Sequence, residues 1–108
     1  MYAKINDSVD IYHLVRAGND SDYEVAPSYQ KVECGVFPAS NDIMAIYPAQ
    51  NSYQLFEIFI YENVTLKNGD KLISFLNNKE YIVRGVPQVH DTNLMFYTKV
   101  VGEQVVGT

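Results

Sequence analysis

Few side chains in this sequence could do covalent chemistry, and the first to consider is its single cysteine, Cys34. A cysteine nucleophile needs an electropositive, partly exposed setting that favours the thiolate, with a base such as His13 or His90 nearby. Cys34 instead stands between Val32 and Val36, in a stretch that alternates apolar and polar residues. We therefore predict that Cys34 points inward and packs as a small hydrophobic residue.

The pair His90-Asp91 is the second candidate for catalysis. Neighbouring residues on a strand point to opposite faces and no partner serine is evident, so we interpret residues 90–93 as a polar loop. Paired carboxylates for glycoside cleavage stay open, but a chain of 108 residues leaves little room for a sugar cleft. We expect the protein not to be an enzyme.

Metal and cofactor sites have little support in the sequence. Two histidines and one cysteine cannot supply a closed structural zinc site, and the six glycines never approach the spacing of a phosphate-binding loop. Residues 20–24 (DSDYE) are similar to the start of a calcium loop, but Val25 occupies the sixth position and Lys31 the twelfth, where glycine and glutamate are needed. We expect no cofactor and no metal, with weak cation binding by this solvated loop as the alternative.

The composition describes one small acidic domain. Of its 108 residues 47% are hydrophobic, and 8 Lys and Arg against 13 Asp and Glu give a net charge of −5. Such a chain can fold without disulfides, and its charge is a poor match for DNA phosphates. No apolar stretch approaches the roughly 20 residues that cross a bilayer, and no signal peptide is visible. We expect a single domain, residues 1–108, made in the cytoplasm and without membrane contact.

Alternation of apolar and polar residues predicts β-strands over most of the chain. The alternation is clearest at residues 29–37, and Pro38 should end that strand because proline has no N–H to donate. Further strands are predicted at residues 9–17, 53–62, 71–75, 80–86 and 94–101, with Pro87 ending the fifth. About 5–6 short strands predict an all-β fold, a small antiparallel β-barrel or sandwich.

The predicted strand at residues 53–62 is apolar on both of its faces. One face carries Phe56, Ile58 and Ile60. The opposite face carries four large side chains, namely Tyr53, Leu55, Phe59 and Tyr61. Because a strand with two apolar faces is covered on both sides, we predict that the first face packs into the core and that the second is a subunit interface.

A long loop, residues 39–52, lies between the second and third predicted strands. Long loops in small domains are often functional, and this one contains neither Lys nor Arg. Its centre is apolar, with Ile43, Met44, Ile46 and Tyr47, where a free loop should be polar. These side chains either fold back as a plug over one end of the barrel or contact another chain.

Two neighbouring runs in the second half of the chain resemble a known family. Residues 64–73 (VTLKNGDKLI) and 79–87 (KEYIVRGVP) are similar to the C-terminal half of tailed-phage head–tail joining proteins, the head-closure or stopper connectors. In that family a strand leads to a Gly-Asp turn, and a Tyr-x-ϕ-x-Gly strand follows before the last strand closes the barrel. The order of strands and loops in the first half fits the same layout.

The resemblance implies a virion structural protein with no chemistry of its own. A homo-oligomeric ring would bind below the portal and adaptor at the virion neck, close the filled head and offer a docking surface to tail proteins. In stoppers of this family the loop after the second strand points into the channel and holds packaged DNA back. Here that loop is residues 39–52, and the residues expected to gate the channel are Asp42, Ile43, Met44, Ile46 and Tyr47.

Two other functions remain open. The chain could be another phage neck or tail-completion protein. It could also be a small carbohydrate- or peptide-binding β module that uses some of its nine tyrosines as a stacking platform. The absence of tryptophan and of a secretion signal counts mildly against sugar binding.

Overall fold

The computed structural model describes residues 5–16, 22–40, 42 and 55–105. The strands in these ranges are β1 Asp7–Tyr12, β2 Leu14–Arg16, β3 Asp22–Tyr23, β4 Tyr29–Pro38, β5 Leu55–Ile60, β6 Lys71–Ser74, β7 Glu80–Asp91 and β8 Phe96–Gln104. Six of them close a barrel in the order β1-β4-β5-β8-β7-β6, while β2 and β3 form a separate two-stranded sheet. All pairs are antiparallel, so the predicted all-β fold is confirmed in its barrel form.

The barrel closes where β1 pairs with β6. Val9 lies opposite Ser74, and Ile11 lies opposite Leu72. Closure leaves fewer strand edges with unpaired backbone groups, and such edges otherwise promote aggregation. No helix within the ranges that the structure describes is long and apolar enough to cross a membrane.

Alternate residues of the six barrel strands point inward and form one hydrophobic core. Its strand residues, each 3% exposed or less, are Val9, Ile11, Val32, Cys34, Ile58, Ile60, Leu72, Tyr81, Val83 and Val100. The inward alternation predicted for Val32 and Cys34 is confirmed, as is the inward face of Ile58 and Ile60. Each fully buried Val, Leu or Ile contributes about 1.5–3 kcal/mol relative to an exposed position, so this core is the main source of stability.

The single strand predicted at residues 9–17 is wrong, because the chain leaves the barrel at His13. Strand β1 ends at Tyr12, and the backbone N–H of His13 donates to the Glu24 carboxylate at 2.9 Å. The next N–H, of Leu14, donates to the buried Asp70 carboxylate at 2.9 Å. At these two residues the backbone N–H groups donate to side-chain carboxylates instead of to a neighbouring strand. Strand β2 then turns away from the barrel and pairs with β3.

The predicted end of a strand at Pro87 is also wrong, since β7 continues to Asp91. The pairing of β7 with β8 shifts register between Arg84 and Gln88, so Pro87 lies in an irregular segment rather than in the regular ladder. A bulge is one of the few places in a sheet where a residue without an N–H is tolerated. The loop predicted at residues 90–93 therefore begins as strand, and the turn between β7 and β8 lies at residues 92–95.

The inward-facing Thr98 is an exception to the apolar core. It is 1% exposed, and its hydroxyl has no hydrogen-bond partner in the described part of the chain. Because a buried hydroxyl without a partner is costly, we expect Thr98→Val to raise the free energy of unfolding by about 1 kcal/mol. Urea denaturation checks this, with the exposed Thr65→Val as the matched control. A clear loss of stability in Thr98→Val would contradict it.

Candidate functional site

A row of aromatic rings crosses the outside of the barrel on β4, β5, β8 and β7. We name this row the outer strip, and its members are Phe37, Phe59, Tyr61, His90 and Tyr97. Successive ring centroids lie 6.1 Å apart for Phe37 and Phe59, 5.8 Å for Phe59 and Tyr97, and 6.3 Å for Tyr61 and Tyr97. His90 stacks on Tyr97 at 4.5 Å with 16° between the ring planes. No member belongs to the buried core, so the strip is an apolar surface at least partly open to contact.

Two ion pairs flank the outer strip. Lys99 Nζ lies 2.8 Å from Glu57 Oε1, and Arg84 Nε donates to Glu103 Oε1 at 2.7 Å. Lys99 Nζ also lies 5.8 Å from the centre of the Phe59 ring. Each of these two cations therefore has an anionic partner on this face. Paired charges at the edge of an aromatic surface cost less to desolvate than unpaired ones, which favours burial of the strip against another protein.

The four residues predicted as a subunit interface differ in their exposure to solvent. Phe59 and Tyr61 are partly exposed and belong to the outer strip. Leu55 is 1% exposed, so its side chain is not available at the surface, and that part of the prediction is wrong. Tyr53 lies outside the described residues. The interface role itself stays a prediction.

Sequence reasoning missed three members of the outer strip. Phe37 and Tyr97 stand at outward positions of predicted strands, so alternation alone could have identified them. His90 could not be found this way, because Pro87 indicated that the strand had already ended. The side-by-side arrangement of the rings depends on strand register, for example on His90 lying opposite Tyr97.

The base of the long loop is fixed to β5. Pro38 pairs with Phe56, the N–H of Ala39 donates to the carbonyl of Leu55 at 3.1 Å, and the N–H of Ser40 donates to the Glu57 carboxylate at 3.0 Å. Asp42 is exposed. The other residues expected to gate a channel, Ile43, Met44, Ile46 and Tyr47, lie outside the described residues. The loop therefore leaves and rejoins the barrel at one end, between β4 and β5.

The Gly-Asp turn of the family-like motif has a structural role in this fold. Gly69 has φ of +96°, a conformation that L side chains rarely adopt, and its N–H donates to the carbonyl of Val83 at 2.8 Å. Asp70 is 2% exposed, and its carboxylate accepts the N–H groups of Leu14 and Lys67 at 2.9 and 2.8 Å. The turn thus ties β2, the segment before β6, and β7 together.

Polar side chains gather around His13 beside this turn. Its Nε2 lies 2.8 Å from the carbonyl oxygen of Thr65, and its Nδ1 lies 3.2 Å from the Ser28 hydroxyl. That hydroxyl donates to Glu24 at 2.6 Å, and this bond, with the N–H of His13 as a second donor, lowers the pKa of the Glu24 carboxyl. The Ser28 proton is therefore directed to a carboxylate rather than to the imidazole, and the cluster fastens β2 and β3 to the barrel.

The acidic run at residues 20–24 is partly engaged in such local contacts. Asp22 forms an ion pair with Arg16 at 2.6 Å, and Glu24 belongs to the His13 cluster. Asp20 and Ser21 lie outside the described residues. Within the residues that the structure describes, no group of three or more His, Cys, Asp or Glu side chains is arranged to hold a metal ion.

The Cys34 thiol is fully buried, as predicted, and burial raises its pKa to about 12, with the nearby Asp7 carboxylate adding to the effect. We expect native protein at pH 8 to react with a disulfide reagent at least about 100-fold more slowly than urea-unfolded protein, because only the thiolate attacks. The absorbance of the released thiolate measures both rates. Comparable rates in the native and unfolded states would contradict a buried thiol.

His90 and Asp91 do not form a dyad of the kind considered above. They are consecutive residues of β7, so their side chains project to opposite faces of the strand. The imidazole of His90 is stacked on Tyr97 instead.

The fold is a small closed antiparallel barrel with a two-stranded side sheet, and two solved structures are similar to it overall. The solution structure of protein SF1141 from Shigella flexneri 2a has a TM-score of 0.64 and 11% identity, over 93% of this chain and 92% of that one. The phage-like element PBSX protein xkdH from Bacillus subtilis has a TM-score of 0.57 and 19% identity, over 94% and 96% of the two chains. At these identities the likeness shows the fold. No protein-family model and no curated protein sequence matches the chain.

Proposed function

We propose that this chain is a structural subunit of a tailed-phage particle or phage-like element, and that it acts as a head-closure connector. A ring of copies would sit below the portal and adaptor, retain packaged DNA and receive the tail. The observation that carries the proposal is the shared fold with xkdH, a protein of a phage-like element, over 94% of this chain and 96% of that one. The family-like runs at residues 64–73 and 79–87 support the connector role in particular.

The outer strip is the proposed contact between neighbouring copies. Its aromatic side chains are of the type enriched at protein interfaces, and its flanking charges are already paired. The strip runs across four strands, so one rigid face of the barrel would present it.

The loop at residues 39–52 is the proposed gate. It starts and ends at one end of the barrel, which would let all copies in a ring direct their loops toward a common axis. The lack of Lys and Arg in residues 39–52 suits a gate that DNA must later pass without binding.

A structural rather than an enzymatic role is part of the proposal. The residues weighed above for catalysis are engaged otherwise: Cys34 is buried with a raised pKa, and His90 is stacked on Tyr97. The Ser28 hydroxyl beside His13 donates to Glu24.

Deletion of residues 42–47 tests the gate in a phage that lacks its own copy of the gene and is supplied with the variant. We expect normal heads that package DNA and then lose it, measured as nuclease-sensitive DNA in purified particles. The control is Val25→Ser, a change at a fully exposed residue outside this loop. Full DNA retention by the loop deletion, with the variant present in the particles, would contradict the gate.

A further inference from the structure

An open pocket of about 320 Å³ lies at one mouth of the barrel, between the start of β1 and the β6–β7 turn. Its apolar floor is made by Val36, Phe56 and Tyr81, and the rings of Phe56 and Tyr81 meet edge to face at 5.4 Å. Asn6, Asp7, Asn77 and Lys79 supply polar side chains around that floor. This volume suits a small ligand or a single large side chain with its backbone atoms.

The side-chain amide and carboxylate acceptors of this pocket are already occupied. Asp7 accepts the hydroxyl of Ser74 and the N–H groups of Ser8 and Leu76. The amide of Asn6 accepts from and donates to the backbone of Val36, at 2.9 and 3.0 Å. A ligand that offered hydrogen-bond donors would find these acceptors engaged.

Three donors of the pocket have no partner among the described residues. In the described part of the chain, no partner is found for the ammonium of Lys79, the hydroxyl of Tyr81 or the side-chain nitrogen of Asn77, whose oxygen accepts the N–H of Lys79 at 3.2 Å. Burial, with Asp7 nearby, raises the pKa of Tyr81, so its phenol keeps its proton and can donate at neutral pH. Among the described residues that line the pocket, Lys79 is thus a cation without a partner, while the Asp7 carboxylate accepts three hydrogen bonds.

Hydrogen-bond donors without partners lie beside an apolar floor in this pocket. A complementary ligand would carry oxygen acceptors next to an apolar group. We propose that this pocket binds the C-terminal residue of a partner polypeptide, with its carboxylate at Lys79, Tyr81 and Asn77 and an apolar side chain on Phe56 and Val36. An internal residue offers either a carboxylate, as Asp or Glu, or an apolar side chain but not both, and an inorganic anion has nothing to place on the floor. The inference does not rest on the connector role, so either can fail alone.

The test uses the full chain and an acetylated pentapeptide of glycine and serine that ends in leucine. Titration followed by ¹H–¹⁵N NMR should shift the amide resonances of Val36, Phe56 and residues 77–81. We expect C-terminal amidation of the peptide, or alanine in place of its leucine, to weaken binding by about 10-fold, the lower end of what loss of one charge-assisted hydrogen bond or one buried side chain costs.

Variants of the protein assign the carboxylate contact. Lys79→Gln should weaken binding of the free-acid peptide about 5-fold and leave the amidated peptide unaffected, while Lys67→Gln, an exposed lysine outside this pocket, should change neither. The proposal is overturned if the free-acid peptide gives no shifts at the pocket, if the amidated peptide binds equally well, or if Lys79→Gln and Lys67→Gln behave alike. Equal binding of acetate would point to a simple anion site and overturn it as well.

Discussion

Replacing Asp70 with alanine should lower the free energy of unfolding by about 3 kcal/mol, a large fraction of the stability of a small domain. The carboxylate is 2% exposed and accepts the N–H groups of Leu14 and Lys67. Alanine leaves these backbone donors without an acceptor and opens a small cavity beside Gly69. Urea denaturation followed by circular dichroism measures the change.

Two further variants serve as controls for Asp70→Ala. Asp70→Asn keeps an acceptor oxygen and nearly the same volume, so its loss should be about half that of alanine. Asp91→Ala removes an exposed carboxylate at the end of β7 and should change stability by less than about 0.5 kcal/mol. If Asp70→Ala cost no more than Asp91→Ala, the Gly-Asp turn would not be the structural tie that the hydrogen bonds indicate.

If the proposed ring forms on the connector, replacing Phe59 with serine should abolish its assembly. Phe59 lies inside the outer strip, in contact with the rings of Phe37 and Tyr97. Central aromatic residues of an interface commonly contribute 2 kcal/mol or more per contact, about 30-fold in affinity, and every copy in a ring carries the change. Mass photometry of the assembly measures the effect.

The control for this experiment is Phe75→Ser. Phe75 is 64% exposed at the end of β6, away from the outer strip, and its ring lies 5.2 Å from Lys31 Nζ. Thermal unfolding of both variants shows that each is folded before assembly is compared. Two results would contradict the outer strip as the subunit contact. One is a Phe59→Ser protein that assembles like the wild type, and the other is a folded Phe75→Ser protein that no longer assembles.

Much of the fold could be predicted because alternation reports local burial. Strand β4 and the inward position of Cys34 follow from residues 29–37 alone. The break at His13 could not be predicted, because it depends on Glu24 and on the distant Asp70. Proline at position 87 indicated an end to the strand, but only the pairing of β7 with β8 shows that a bulge accommodates it.

The candidate sites show the same limit. Phe59 and Tyr61 were predicted at a surface from the pattern of one strand, but that pattern also placed the buried Leu55 there. Whether a donor such as Lys79 is free depends on every group around it, and the acceptors of that pocket come from β1 and from the β6–β7 turn. Sequence periodicity contains no information of that kind.

The proposed function requires that copies of this chain form a ring on a phage connector. The most direct test mixes the purified chain with the portal–adaptor complex encoded in the same genome and measures the mass of the product by mass photometry. We expect one discrete increment that corresponds to a closed ring of this chain, and loss of that increment with Phe59→Ser. A folded wild-type chain that adds no mass to the complex, at concentrations well above those in an infected cell, would contradict the claim.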